Sequence, residues 1–205
     1  MRQDLTQQTV LITGGSEGYG KAMAQTFTQA GARVIIASRS LEKLQAAQAD
    51  IGEGVLIFPM DVTNPLDWER VKDFILEQTG RLDILINNAG GGIRIVPTVD
   101  QSLPDIDAAI QLNLTSVIYG CRSLAPLMQT QKRGTIINVA SVCARECWPA
   151  WSVYASAKAG VLNFSKGLYL EVCKDNVRVT CLIPAAANTS LDRKSTRLNS
   201  SHRIR

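Results

Sequence analysis

Residues 9–20 read TVLITGGSEGYG, and this stretch predicts the fold of the chain. The β-branched and apolar run Thr9–Thr13 stops at glycine, which is typical of a buried strand. Ala22, Ala24 and Phe27 follow at helical spacing. A strand, a glycine turn and a helix form the first half of a nucleotide-binding βαβ unit, where amides at a helix N-terminus bind pyrophosphate. Glycine clusters also occur in ordinary turns, but this position between a strand and a helix favours a nucleotide site.

The rest of the chain repeats the alternation of strand and helix. Further strands are predicted at 33–38, 55–58, 82–86, 134–140 and 177–183, and further helices at 41–51, 64–80, 105–128 and 152–173. Asn64 and Pro65 suit the N-cap and first turn of one of these helices. Six strands alternating with five helices indicate an α/β domain, a doubly wound parallel sheet with helices on both faces.

Composition excludes several classes of protein. The chain has 205 residues, of which 45% are hydrophobic and 20% are charged, as in ordinary soluble domains. No apolar run approaches the roughly 18 residues that span a bilayer, and the N-terminus lacks the apolar core of a signal peptide. We therefore expect a cytoplasmic protein with no membrane partner. Five scattered cysteines and a single histidine make a metal site unexpected.

The net charge of +4 comes from one end of the chain. Five of the 22 basic residues and one of the 18 acidic residues lie in 192–205, so the body is neutral. The body therefore offers no basic face to a nucleic acid. The basic segment could still be a tail that binds nucleic acid or an anionic membrane.

Polar residues follow several of the predicted strands, at the edge where parallel sheets bind ligands. Ser38 stands where an acid would bind the ribose hydroxyls of NAD, and Arg39 follows it. Arg39 either suits a 2′-phosphate or is simply a solvated loop residue. Asp61 meets an adenine edge or caps a turn. Asn113, within a predicted helix, needs a hydrogen-bond partner if it is buried.

The segment 141–158 carries the groups for proton transfer. Tyr154 and Lys158 are four residues apart and share a face if the segment is helical. An ammonium near a phenol lowers the pKa of the phenol from about 10, so that it can exchange a proton with a carbonyl or alcohol. Ser141, from the preceding strand end, would hold the same oxygen. An ordinary surface pair is the alternative reading.

Taken together, residues 9–191 resemble a short-chain dehydrogenase/reductase of the common Rossmann-fold type. Thr13, Gly14, Gly18 and Gly20 match the glycine motif of that family, Asp61 its adenine contact, and Asn87–Gly90 its central-strand motif. Asn113, Ser141, Tyr154 and Lys158 match its catalytic tetrad. The resemblance implies the strand order 3-2-1-4-5-6, with the usual seventh strand missing.

The resemblance also implies hydride transfer between a nicotinamide and a carbonyl or alcohol substrate. Tyr154 would act as general acid or base, Ser141 would position the substrate oxygen, and Lys158 would bind the nicotinamide ribose. Asn113 would hold a water of a proton relay. Arg39 favours NADP(H) over NAD(H), with reduction as the expected direction. The implied cofactor contacts are Gly14, Ser16, Gly18, Tyr19, Gly20, Ser38, Arg39, Asp61, Val62, Asn88, Ala89, Gly90, Tyr154, Lys158, Pro184 and Thr189.

Three positions depart from the family pattern. Glu17 stands where NADP-preferring members often carry a basic residue, and Tyr19 replaces an aliphatic one. Ala185 replaces a glycine after the sixth strand, which would strain the backbone if that position needs a special angle. Trp148, Trp151, Arg145 and Glu146 either shape the pocket beside Ser141 or are packing residues, and the two tryptophans would suit a hydrophobic or ring-bearing substrate.

We expect two parts: a cofactor-binding and catalytic domain at 1–191 and an unstructured basic tail at 192–205. The tail looks like translated cloning adaptor sequence. A homodimer through helices 105–128 and 152–173 is expected if the chain is complete. The alternatives to an active enzyme are a nucleotide-sensing protein that keeps the fold without the chemistry and a truncated copy with impaired activity.

Overall fold

Six parallel strands form one sheet in the computed structural model of the chain, which describes residues 5, 6 and 8–185. The strand order is β3-β2-β1-β4-β5-β6, which confirms the predicted doubly wound topology. The sheet reverses its direction of winding between β1 and β4, and ligands bind at such a reversal. The strands are β1 Thr9–Thr13, β2 Arg33–Ser38, β3 Leu56–Pro59, β4 Ile84–Asn87, β5 Gly134–Val139 and β6 Val177–Leu182.

Helices cover both faces of this sheet. They are α1 Gly18–Gln29, α2 Leu41–Ile51, α3 Pro65–Thr79, α4 Leu103–Ile110, α5 Ser116–Thr130 and α6 Ser152–Val172. Short 3₁₀ turns occupy Thr98–Asp100, Val142–Ala144 and Cys173–Asp175. Asn64 caps α3 as predicted, because its side-chain oxygen accepts a hydrogen bond from the backbone N–H of Leu66 at 3.1 Å.

The alternation of side chains in β1 divides the core into two halves. Val10 and Ile12 pack on one face with Ala24 of α1 and Leu44 of α2. Leu11 points to the other face, which α3, α5 and α6 cover. All five residues of β1 are buried, because helices cover both faces of a central parallel strand. This is why the sequence of β1 shows no alternation of apolar and polar residues.

The predicted helix at 105–128 is one helical rod with an interruption. Between α4 and α5, residues Gln111–Thr115 form a π-helical turn. The sequence pattern does not show this turn, because a single π-helical turn is too short to set a periodicity of its own. Such turns inside α-helices are frequent at functional sites.

β4 begins two residues later than predicted. The backbone of Leu82 is held by a side chain instead of a neighbouring strand: Gln131 accepts from its N–H at 3.1 Å and donates to its carbonyl at 2.8 Å. Because the two residues are 49 positions apart, no local pattern reveals the contact.

Two of the predictions fall outside the described residues, namely Thr189 as a cofactor contact and the tail at 192–205. No helix within the described part of the chain is both long and apolar enough to cross a membrane.

Candidate active site

A cavity of about 640 Å³ opens at the carboxyl edge of the sheet. Most of the predicted site residues lie on its wall, although they come from segments as distant as β1 and α6. From that predicted set the wall includes Gly14, Ser16, Gly18, Tyr19, Ser38, Arg39, Asp61, Val62, Asn88, Ala89, Gly90, Ser141, Tyr154, Lys158 and Pro184. Gly20 and Asn113 are buried behind the wall.

The glycine turn brings backbone close to backbone. Gly14 has a φ of +64°, which side chains rarely allow. A Cβ at Gly20 would lie 2.1 Å from the carbonyl oxygen of Gly14, so only glycine fits there. The turn places residues 16–19, which lead into the start of α1, on the cavity wall. A helix N-terminus with accessible amides attracts a phosphate, so this end of the cavity suits the pyrophosphate of a dinucleotide.

Two side chains lock the ends of β1 and β4 together beneath that turn. Thr13 Oγ1 accepts hydrogen bonds from the N–H groups of Asn88 at 3.0 Å and Ala89 at 3.1 Å. In return, Asn88 Nδ2 donates to the carbonyl of Thr13 at 2.9 Å. This reciprocal pairing holds the loop after β4 against the glycine turn, and both lie on the floor of the cavity.

The end of β2 carries groups that fit the ribose end of a nucleotide. Ser38 Oγ is buried and, within the described residues, has no hydrogen-bond partner. A buried hydroxyl without a partner is costly and is satisfied once a ligand hydroxyl or phosphate reaches it. Arg39 is exposed on the cavity wall beside it. These two residues therefore fit a dinucleotide cofactor.

Asp61 serves the turn as well as the cavity. Its Oδ1 accepts from the N–H and the hydroxyl of Thr63 at 2.9 and 2.8 Å, so the turn-capping reading of this residue is confirmed. Asp61 also lines the cavity, which leaves its contact with an adenine as a proposal.

Glu17 is partnered by a basic residue that the sequence analysis missed. Lys43 Nζ lies 3.3 Å from Glu17 Oε2. Both side chains are more than half exposed, so the pair adds little stability, but it places a positive charge beside the acid at the phosphate end of the cavity. No local pattern in the sequence indicates this pair, because the two residues are 26 positions apart.

Tyr154 lies at the other end of the cavity, in a small apolar cluster with Cys143, Ala155 and Trp151. Burial raises the pKa of Tyr154 to about 12, and a side-chain hydrogen bond with Ser141 lowers it in part. The lowered pKa expected from the sequence is wrong for this structure, because desolvation of the phenol outweighs the hydrogen bond with Ser141. The phenol is therefore protonated at neutral pH and able to donate its proton.

Lys158 is buried beneath the tyrosine. Its Nζ donates to the carbonyl of Val139 at 2.9 Å and lies 5.8 Å from the centre of the Tyr154 ring. Desolvation lowers the pKa of Lys158 to about 8. Spacing of four residues along α6 thus places both groups on one face as predicted, with the lysine on the cavity wall.

Asn113 satisfies its buried amide through the loop after β4. Its Oδ1 accepts from the N–H of Gly91 and its Nδ2 donates to the carbonyl of Gly91, both at 2.9 Å. Nδ2 also donates to Ala109 at 3.0 Å, the carbonyl that a regular α-helix would bond to the backbone N–H of residue 113. The side-chain bond thus competes with a regular helical bond, and Asn113 lies within the π-helical turn.

A further contact joins the glycine turn to the segment after β6. Tyr19 donates from its hydroxyl to the carbonyl of Ala185 at 3.3 Å. Lys132, Ala150 and Asn176 are the non-glycine residues with positive φ in the described part of the chain, so Ala185 lacks the strain that the sequence analysis considered.

The remaining cavity residues have no recognisable local pattern. They are uncharged side chains that reach the wall through the fold alone. Met60, Ile93, Ala108, Gln111, Leu112 and Val142 are examples.

Comparison with known proteins gives consistent matches. The family model described as short chain dehydrogenase matches residues 8–199. An uncharacterized oxidoreductase of Staphylococcus aureus is 31% identical over 188 residues, 91% of this chain and 81% of that protein. The crystal structure of levodione reductase has a TM-score of 0.93 at 29% identity, covering 97% of this chain and 79% of the other. A short chain dehydrogenase from Bacillus anthracis has a TM-score of 0.84 at 36% identity, covering 87% and 76%.

Proposed function

Because this chain belongs to the short chain dehydrogenase family, we propose that it transfers a hydride between a nicotinamide cofactor and a small-molecule carbonyl or secondary alcohol. The observation that carries the proposal is convergence within one cavity: Tyr154, Ser141 and Lys158 share it with the glycine turn. A dinucleotide bound across the sheet reversal would reach from that turn to the tyrosine.

The residues of the site divide the work of reduction. Tyr154 donates its proton to the carbonyl oxygen, for which the protonated phenol is suited at neutral pH. Ser141 hydrogen-bonds the same oxygen and fixes its position. Lys158 holds ribose hydroxyls through its ammonium, and Asn113 positions the Gly91 loop and a relay water. The bound nicotinamide supplies the hydride.

Replacement of Tyr154 by phenylalanine tests this chemistry. We expect kcat for carbonyl reduction to fall by roughly a hundredfold or more, because the acid is lost, while the Kd of the reduced cofactor stays within about twofold. Steady-state kinetics and cofactor fluorescence measure the two quantities. Tyr169→Phe is the matched control, since Tyr169 is on the same helix but half exposed outside the cavity. A Tyr154→Phe variant that keeps its turnover would favour a nucleotide sensor instead.

For the cofactor, we propose NADP(H) in preference to NAD(H). Arg39 and the unpartnered Ser38 hydroxyl support this proposal, since both suit a 2′-phosphate. The acid at Glu17 argues less strongly against it than the sequence indicates, because Lys43 is paired with that carboxylate.

Replacement of Arg39 by alanine tests the preference. Loss of a charge-assisted hydrogen bond predicts that NADPH binds roughly tenfold or more weakly, while NADH binding changes less than about twofold. Titration of the intrinsic fluorescence of each reduced cofactor gives both Kd values. Arg33→Ala removes an exposed arginine from the opposite end of β2 and should change neither. Equal losses for the two cofactors would refute the NADP(H) preference.

We further propose that the enzyme works in the cytoplasm, primarily as a reductase, and forms a homodimer through the α4–α5 rod and α6. Five unpaired cysteines support a reducing compartment. Tyr169 and Leu170, exposed apolar side chains near the end of α6, support a contact between copies.

A further inference from the structure

Three aromatic rings lead outward from the proton donor. The ring of Trp151 lies 5.4 Å from that of Tyr154, at an interplanar angle of 74°. The ring of Trp148 lies 6.5 Å from that of Trp151, at 81°. All three side chains line the cavity, and Trp148 is 41% exposed. The inner two rings pack on each other, whereas Trp148 offers accessible aromatic surface to whatever occupies the cavity.

The loop that carries Trp148 has a defined, strained backbone conformation. Ala150 has a φ of +69°, which costs energy in a residue with a Cβ. Next to it, the N–H of Trp151 donates to the carbonyl of Trp148 at 3.1 Å, closing the turn that leads into α6. Backbone strain of this kind persists where surrounding structure fixes it, often at a ligand site. The turn thereby keeps Trp148 on the cavity wall.

At this end of the cavity, Lys158 is the one charged side chain on the wall among the described residues. The charged residues on the wall at its other end are Glu17, Arg39 and Asp61, which follow β1, β2 and β3. Around the tryptophans the wall includes the uncharged groups of Ser141, Cys143 and Tyr154. Lys158 is buried, with its ammonium donating to the Val139 carbonyl. Arg145 and Glu146 are exposed in the loop before Trp148 but do not line the cavity, so among the described residues the wall at this end offers no free cation to a carboxylate or phosphate.

We propose that the substrate is a neutral, ring-bearing ketone or the corresponding alcohol, whose ring packs on Trp148 while its oxygen meets Tyr154 and Ser141. This proposal rests on the proposed hydride transfer and names the class of substrate that the site selects. Burial of a ring against the apolar, aromatic wall is favourable, whereas burial of an anion without a free countercharge is unfavourable.

Three probe ketones test the selection. Acetophenone is neutral and carries a ring, 2-butanone is neutral without a ring, and phenylglyoxylate carries the ring with a carboxylate. We expect acetophenone to have the highest kcat/KM. Trp148→Ala should lower that value on the order of tenfold while leaving 2-butanone within about twofold, and Trp148→Phe should restore much of it. Leu66→Ala, which truncates a 69% exposed apolar residue outside the cavity, is the control.

Binding measurements separate failure of the inference from failure of the proposed function. Saturation-transfer NMR on the Tyr154→Phe protein reports acetophenone binding without turnover, with and without Trp148→Ala. If no probe is reduced but acetophenone still binds through Trp148, the hydride-transfer proposal fails and the ring site stands. If probes are reduced with no preference for acetophenone, or Trp148→Ala affects all of them alike, the ring site is refuted and hydride transfer stands. Absence of acetophenone binding also refutes the ring site.

Discussion

Tyr154 and Lys158 carry opposite pKa shifts from one cause. Burial penalises the charged form of each group, so it raises the pKa of the phenol to about 12 and lowers that of the ammonium to about 8. The tyrosine is thereby kept as an acid over the whole neutral range. The lysine, in contrast, titrates close to neutrality, so Lys158 loses its positive charge at mildly alkaline pH.

The pH dependence of reduction should report this titration. We expect kcat/KM to fall as the pH rises through about 8, because a neutral Lys158 no longer holds the ribose hydroxyls or feeds the proton relay. A pH profile of steady-state reduction measures the midpoint. In Lys158→Arg the guanidinium stays charged, so whatever activity remains should lack this fall. The same midpoint in both proteins would assign the titration to another group.

The sign of the stability effect follows from the same shift. The folded pKa of Lys158 is below its ordinary value of 10.5, so the unfolded chain binds more protons between these two pH values. The contribution of Lys158 to stability therefore improves as the pH rises from about 8 to 10.5. Tyr154 acts in the opposite direction at higher pH, since its folded pKa lies above its unfolded one.

Individual residues show where sequence reasoning succeeds. Tyr154 and Lys158 were predictable because their relation is local, one turn of a helix. Asn113 was predictable only as a buried amide that needed a partner, since Gly91 is 22 residues away. The pairing of Lys43 with Glu17 and the unpartnered hydroxyl of Ser38 depend on the packed fold, and no spacing in the sequence shows them.

At the scale of elements, the site depends on how the ends of β1 and β4 are joined. Strands and helices were predictable from β-branched runs, glycine stops and caps such as Asn64. The exact ends of these elements were not predictable. The backbone of Leu82, for example, bonds to the Gln131 side chain, and β4 begins only after it. The hydrogen bonds of Thr13 belong to the same class of long-range contact.

Replacement of Thr13 by valine should loosen this junction. The shape is kept, but the N–H groups of Asn88 and Ala89 lose their acceptor, which predicts a loss of about 1–3 kcal/mol in the free energy of unfolding. Urea denaturation measures it, and cofactor binding should weaken because the loop after β4 shifts. Thr13→Ser retains the hydroxyl and should lose less than about half as much. Equal losses in both variants would assign the effect to the methyl group.

At the scale of the whole molecule, a buried ion-pair cluster lies at the edge of the sheet opposite the cavity. Asp83 is buried at the amino edge, where its Oδ2 accepts from the N–H of Thr9 at 2.9 Å. Arg81 pairs with both carboxylate oxygens, and Arg133 lies 3.2 Å from one of them. The aspartate thus joins the starts of three neighbouring strands, far from the cavity at the carboxyl edge.

Removal of this carboxylate should cost stability without affecting catalysis. We expect Asp83→Ala to lower the free energy of unfolding by about 2–4 kcal/mol, because a buried N–H and two cations lose their partner. Below the unfolding temperature, kcat and KM should stay within about twofold. Asp83→Asn keeps an acceptor and should lose less. Chemical denaturation measures the free energy of unfolding, and steady-state kinetics on the same samples measures kcat and KM. A large change in KM would show that the two edges are coupled.

The π-helical turn at Gln111–Thr115 sets the position of Asn113 without being needed for the rest of the fold. A turn of this type holds one residue more than the α-helical turn it interrupts. Deletion of a single residue there would therefore return the rod to regular geometry and leave α4 and α5 in phase on either side. The amide of Asn113, however, would leave Gly91. A change of one codon in length would thus remove the anchor of the loop after β4 while leaving every strand and both halves of the core in place.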